Sequence, residues 1–273
     1  MTIRRACLAL LLGGVAFGQA ATKPLEFEVA SIKPHPPGDT SSSTNLVSGG
    51  INATNVTLRQ LIVRAYDIQD FQLLAGPAWI NDDRWDIMAR TPDFVMPQDP
   101  NNLSDQQRKT IQEQMQERLR SLLTERCGLA VRRETKEQPI YALTVGKNGP
   151  RLQPTKQTGS NNGTNTNMSN GRGTATFTGV TMAVLAQQLA RRTGRPVVDN
   201  TGLPGKYDFK LEWTADVGQP GAVNGGGPGP NSSEPVGPTI FTAIQEQLGL
   251  RLESQKGPVE MIVIERVQKP SEN

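Results

Sequence analysis

The sequence predicts an α+β fold in which one β-α-β-β-α-β-β unit is written twice, each copy forming a lobe with a mainly antiparallel sheet packed by two helices. Three recurrences carry this. A Val-Thr pair precedes an apolar helix at Val56-Thr57 and again at Val180-Thr181. A cation, an aromatic residue and an aspartate open a strand at Arg84-Trp85-Asp86 and at Lys206-Tyr207-Asp208. A glycine closes a helix at Gly128 and at Gly249. The offsets are 124 residues for the valines, 122 for the aspartates and 121 for the glycines, a drift small enough to argue for duplication.

Element by element, the chain begins with Arg4-Arg5, an apolar run from Ala6 to Phe17, and Gly18-Gln19-Ala20. That is the pattern of a cleaved export leader over 1–20, too short to span a bilayer. A strand is expected at 25–32, ahead of the first copy. In the first lobe, 21–152, strands are expected near 51–55, 71–74, 84–90, 129–134 and 140–145. The helix after Thr57 places Leu58, Leu61, Ile62 and Ala65 on one stripe, as Met182, Leu185, Ala186 and Leu189 do after Thr181. Thr57 and Thr181 are placed to cap these helices, and Gln60 completes a capping box that Val184 cannot. Residues 153–173, almost wholly Thr, Asn, Gly and Ser, are expected to be a linker. The second lobe is expected to cover 174–273, with a Gly/Pro-rich loop at 216–238 expected to be disordered. Its strand from Tyr207 alternates Tyr207, Phe209, Leu211 and Trp213 with Lys206, Asp208, Lys210 and Glu212, one face inward and one in water. The last strand is expected at 259–267.

Composition excludes several roles. The whole chain carries 29 Lys and Arg against 26 Asp and Glu, and loss of the leader with Arg4 and Arg5 leaves a net charge near +1. Nucleic-acid binding draws on a clear basic excess, so nucleic acid is not an expected partner. With Cys7 in the leader, Cys127 is left alone; no internal disulfide forms, and a lone cysteine near a helix end reads as a small buried hydrophobe. The single histidine, His35, stands between prolines in what reads as an extended surface segment. One His and one Cys do not supply a zinc site, and neither Asn81-Asp82-Asp83 nor Asp67-Ile68-Gln69-Asp70 has the spacing of a calcium loop. No catalytic residues, no metal ligands and no cofactor are expected, and the binding residues are left open. Asp86, Asp199, Asp208 and Glu212 are the carboxylates that acid/base work would have to use. Asp199 sits in a turn-forming run where bonding to backbone amides is the expected role, and Glu212 and Asp208 read as outward charge. Trp79 and Trp85 flank the polar turn at 80–84, and the tract 75–80 has no counterpart of equal bulk in the second copy, which marks one place to seek a ligand.

The runs Phe27 to Pro34, Arg195 to Trp213 and Gln247 to Glu260 resemble DUF3738, a family of exported bacterial proteins of unknown function abundant in Acidobacteria. The resemblance covers essentially the whole chain after the leader and is most specific at Val197 to Phe209. Similar domains occur at the outer end of membrane proteins resembling antibiotic-sensing metallopeptidases, which implies an envelope protein with a recognition role. A looser similarity, over a few residues per copy, is to the small N-terminal modules of secretins and TonB-dependent receptors. The expectation is an exported, periplasmic or extracellular, non-catalytic module that binds a small ligand or an envelope protein. The alternatives are an envelope hydrolase using carboxylates only, or a sensor or scaffold domain docking on a membrane complex.

Overall fold

The structure, a computed structural model, describes residues 24–39, 41–95, 97, 103–156, 163–169, 172–214 and 237–270. The expected leader and positions 216–236 of the Gly/Pro-rich loop lie outside the described residues. Mainly antiparallel sheets and few helices make the chain α+β.

The first half runs β1 (Val29–Pro34), β2 (Ser43–Val47), β3 (Gly50–Thr57), α1 (Leu58–Tyr66), β4 (Leu73–Leu74), α2 (Trp79–Asp82), β5 (Arg84–Arg90), α3 (Asp105–Cys127) and β6 (Ala130–Val145). The second runs β7 (Gln153–Pro154), β8 (Gly163–Ser169), β9 (Arg172–Val180), α4 (Met182–Thr193), β10 (Val197–Asp199), β11 (Tyr207–Thr214), α5 (Ile240–Ala243) with a π-helical turn at Ile244–Leu248, and β12 (Leu250–Arg266). One sheet has the order β1-β5-β3-β2 and another β7-β11-β9-β8. The third, β10-β6-β12-β4, draws on both halves.

Why the same aspartate recurs is visible at the end of β3 and of β9. Each strand breaks register just before its helix, between Ala53 and Val56 in one case and opposite the Tyr207/Phe209 shift in the other. The residue in the break is left-handed, Asn55 at φ 55° and Gly179 at φ 61°. A bulge residue loses its ladder partner, so its amide needs another acceptor. Asp86 Oδ1 accepts the Asn55 amide at 2.9 Å, and Asp208 Oδ1 accepts the Gly179 amide at 2.6 Å. Each carboxylate thus fixes the corner at which a strand turns into an amphipathic helix. The caps follow the sequence: Thr57 and Gln60 close a capping box on α1, whereas Thr181 accepts only the Val184 amide on α4.

Three features differ from the expectation. Residues 163–169 form strand β8 on the edge of the second sheet rather than a linker. An edge strand needs only its main-chain bonds to β9, which a Thr/Asn-rich segment supplies without an apolar face. The two short strands expected at 129–134 and 140–145 are one 16-residue strand, β6, paired along its length with the 17-residue β12. Its polar middle hid it, and so did Pro139. The Tyr141 amide bonds Pro196 on the β10 side, so the position two residues earlier faces the same, open edge and needs no donor.

The third difference concerns the lobes. Leu129, just before β6, and Val131 at its start belong to the first core, while Leu143 and Val145 at its end pack in the second. Strand β12 does the reverse: Leu250 and Leu252 lie in the second core, and Ile262 and Ile264 in the first. No single cut near 153–173 separates the two cores.

Candidate functional site

Helix α1 buries Leu58, Leu61, Ile62 and Ala65, which leaves Gln60, Val63 and Arg64 facing away from the sheet. Helix α3 buries Met115, Leu119, Leu122 and Leu123, and its first half is polar. Between α1 and α3 lies a groove of about 880 Å³, floored by Ile68, Ile111, Met115 and Leu119. That volume lies within the roughly 300–1,000 Å³ typical of small-molecule sites. The segment 67–71 forms one rim, and Arg191 and Gly194 at the end of α4 bring the second half of the chain to it.

The charge along the groove is unbalanced. Arg64, Arg108 and Arg191 line it together with Asp67 and Asp70. Asp70 is already bridged by Arg59, whose Nε lies 2.6 Å from its Oδ1 and whose Nη2 donates to the Asp70 carbonyl. Desolvation pushes the Arg64 guanidinium below its ordinary value, and no carboxylate among the described residues opposes that shift. Gln112 and Gln116 add amide donors on the α3 wall.

The residues singled out in the sequence lie mostly elsewhere. His35 is not a free surface residue: its ring is 8% exposed and its Nδ1 lies 2.7 Å from Asp86 Oδ1. The β1 strand places it over Asp86, so the ring covers the bulge carboxylate, with Nε2 buried and without a partner among the described residues. Asp208 is not merely outward charge either, since its second oxygen accepts from Thr155 Oγ1 at 3.0 Å. Glu212 is exposed and paired with Lys210 at 2.5 Å, which holds its carboxyl below the usual range. Asp199 accepts the Thr201 amide at 3.0 Å and the Thr201 hydroxyl at 2.7 Å, as its turn-forming run implies. Cys127 is fully buried, and desolvation pushes its thiol up to about 12.

Trp85 lies in the core and Trp79 packs against it with Lys269 over its ring, so the tract 75–80 does not line the groove. Asp67 and Asp70, expected in solvated turns, do line it, Asp67 as the left-handed cap of α1. The sequence did carry one signal for the site, the four-residue spacing of Ile111, Met115 and Leu119. Such a stripe cannot distinguish a groove floor from an ordinary core contact.

Among the described residues no three His, Cys, Asp or Glu side chains gather as metal ligands, and no helix is long and apolar enough to cross a membrane. No curated protein and no solved structure matches the chain. A family model described as protein of unknown function, DUF3738, matches residues 59–267, about three quarters of the sequence and the whole of the groove's α1 and α3 walls except Leu46 of β2 beside them. The chain belongs to the DUF3738 family.

Proposed function

We propose that this protein is an exported, non-catalytic binding module that holds a small molecule with an apolar body in the groove between α1 and α3. The observation that supports this is the groove itself, with an apolar floor and hydrogen-bonding rim of ligand size. The carboxylates an acid/base mechanism would recruit are engaged in architecture: Asp86 and Asp208 hold bulge amides and Asp199 holds a turn.

We also read the chain as a tandem duplication related by a local two-fold through the β6–β12 pair. Glu137 faces Pro258 in that pair, residues 121 apart, the offset that also separates Gly128 from Gly249. Across it the short strands are exchanged, β4 lying parallel to β12 and β10 parallel to β6. Over each helix end the chain that follows the exchanged strand crosses back: Arg151 N donates to Leu248 O, and Gln268 N donates to Cys127 O. The copies differ where the groove lies, since α3 has 23 residues and its counterpart only α5 with its π-helical turn.

The test is titration of the purified protein with the neutral fluorophore N-phenyl-1-naphthylamine. A saturable, blue-shifted rise in emission is expected from the wild type. Gln116→Trp, on the half-buried α3 wall, should abolish it without changing the thermal midpoint. No enhancement in the wild type would overturn the proposal.

A further inference from the structure

The groove is not electrically neutral, and its imbalance specifies a ligand class. Its charged lining consists of three guanidinium groups, Arg64, Arg108 and Arg191, and two carboxylates, Asp67 and Asp70. Arg59 bridges Asp70 from outside the cavity, which leaves Asp67 as the lining carboxylate that faces Arg64 and Arg191. Arg64 and Arg191 have no acidic partner among the described residues. Each stands in the last turn of its helix, where a cation is favoured by the helix dipole but only weakly. They come from different halves of the chain, so nothing local in either helix accounts for their convergence on one cavity.

The Arg64 and Arg191 side chains are exposed where they line the groove, so an oxyanion there can reach both guanidinium groups and gain charge-assisted hydrogen bonds. The floor asks for the opposite chemistry. Ile68, Ile111, Met115 and Leu119 offer an apolar surface with no donor or acceptor in their side chains. A molecule that satisfies both has a hydrocarbon body and one anionic head.

Building on the groove reading above, we infer that the site takes a single-headed anionic amphiphile. Its carboxylate or phosphate is held by Arg64 of α1 and Arg191 of α4, and its chain lies along Ile68, Ile111, Met115 and Leu119. A cationic amphiphile is disfavoured by the same arginines, and a neutral one leaves them uncompensated. Because the two arginines belong to the two halves, the head group also ties α1 to the end of α4.

The experiment is displacement of N-phenyl-1-naphthylamine at low ionic strength by dodecanoate, dodecyl phosphate, dodecanol and dodecyltrimethylammonium, each below its micellar concentration. At least one of the two anions should displace the probe at a concentration about tenfold or more below that of dodecanol, the ratio expected from one charge-assisted hydrogen bond. Whichever anion leads identifies the head group as carboxylate or phosphate. Dodecyltrimethylammonium should be the weakest. Arg64→Gln and Arg191→Gln should each narrow the gap between anion and alcohol, and Arg64→Lys should retain much of it. If the probe binds but dodecanol matches both anions, the anionic head is wrong and the groove stands; if the arginine variants keep the full preference, the placement of the head on Arg64 and Arg191 is wrong. If the probe itself does not bind, the groove reading fails first.

Discussion

Among the described residues Arg118 is the largest fully buried side chain, 2% exposed, and it is a cation. Its Nη2 donates to Asp93 Oδ2 at 2.8 Å, its guanidinium lies 5.8 Å from the centre of the Phe94 ring, and its Nε has no partner among the described residues. Asp93, by contrast, is largely exposed. Losing the aspartate strands a buried charge, whereas losing the arginine releases a carboxylate to water. Asp93→Asn should therefore lower the thermal midpoint at pH 7 more than Arg118→Met. The pair also has a pH signature. The Thr91 hydroxyl, and then Arg118, hold the Asp93 carboxyl below its ordinary value. A depressed folded-state value means the contribution is complete above the unfolded value of about 4 and is lost as pH falls through the folded one. Thermal melts from pH 7 to pH 2 should show the wild type losing its advantage over Asp93→Asn below about pH 4. An unchanged difference at pH 2 would contradict this.

At the scale of elements, the two helix-ending glycines are conformational equals in different surroundings. Gly128 has φ 55° and Gly249 has φ 66°, so alanine at either costs about 1 kcal/mol for the left-handed backbone. A Cβ on Gly128 would meet only the tip of Gln268 at 3.8 Å. On Gly249 it would collide with the Gly149 carbonyl and sit 3.1 Å from the Arg151 amide, because the 146–151 loop is bonded down over that helix end. Gly249→Ala should cost a further 1–3 kcal/mol, roughly the range for overpacking against a backbone that cannot move. Urea midpoints of the two variants decide it, and equal losses would show that the loop yields. The stripes on α1 and α4 and the alternation on β5 and β11 were legible because burial imposes a period on them. Strands β2 and β8 were not, since Ser43–Val47 and Gly163–Ser169 lie at sheet edges and are held by main-chain bonds that leave little apolar pattern.

For the whole molecule, exchange of β6 and β12 makes the cores interdependent. Unfolding either core removes Ile262 and Ile264 or Leu143 and Val145 from the other's supporting strand pair. A single urea transition is expected, with tryptophan fluorescence and far-ultraviolet circular dichroism coincident, although the chain is long enough for two independent domains. Tryptophan reports on both cores, from Trp85 in one and Trp213 in the other. Two resolved transitions would mean that the strand pair does not couple them.

The sequence by itself determined the secondary elements that carry a burial period, the repeated aspartate-bearing strands and Thr-capped helices, and the burial of Cys127. Each of these is set by residues close together in the chain or by a periodicity that one element imposes. Only the tertiary structure decided which half each long strand completes and where the groove lies. Strand exchange depends on pairing 130–145 with 250–266, and main-chain bonds of that kind leave no signature in the polar stretch at their centre. The groove joins Leu46, Arg64, Ile111 and Arg191, residues whose proximity comes from packing α1, α3 and α4 together rather than from any local pattern.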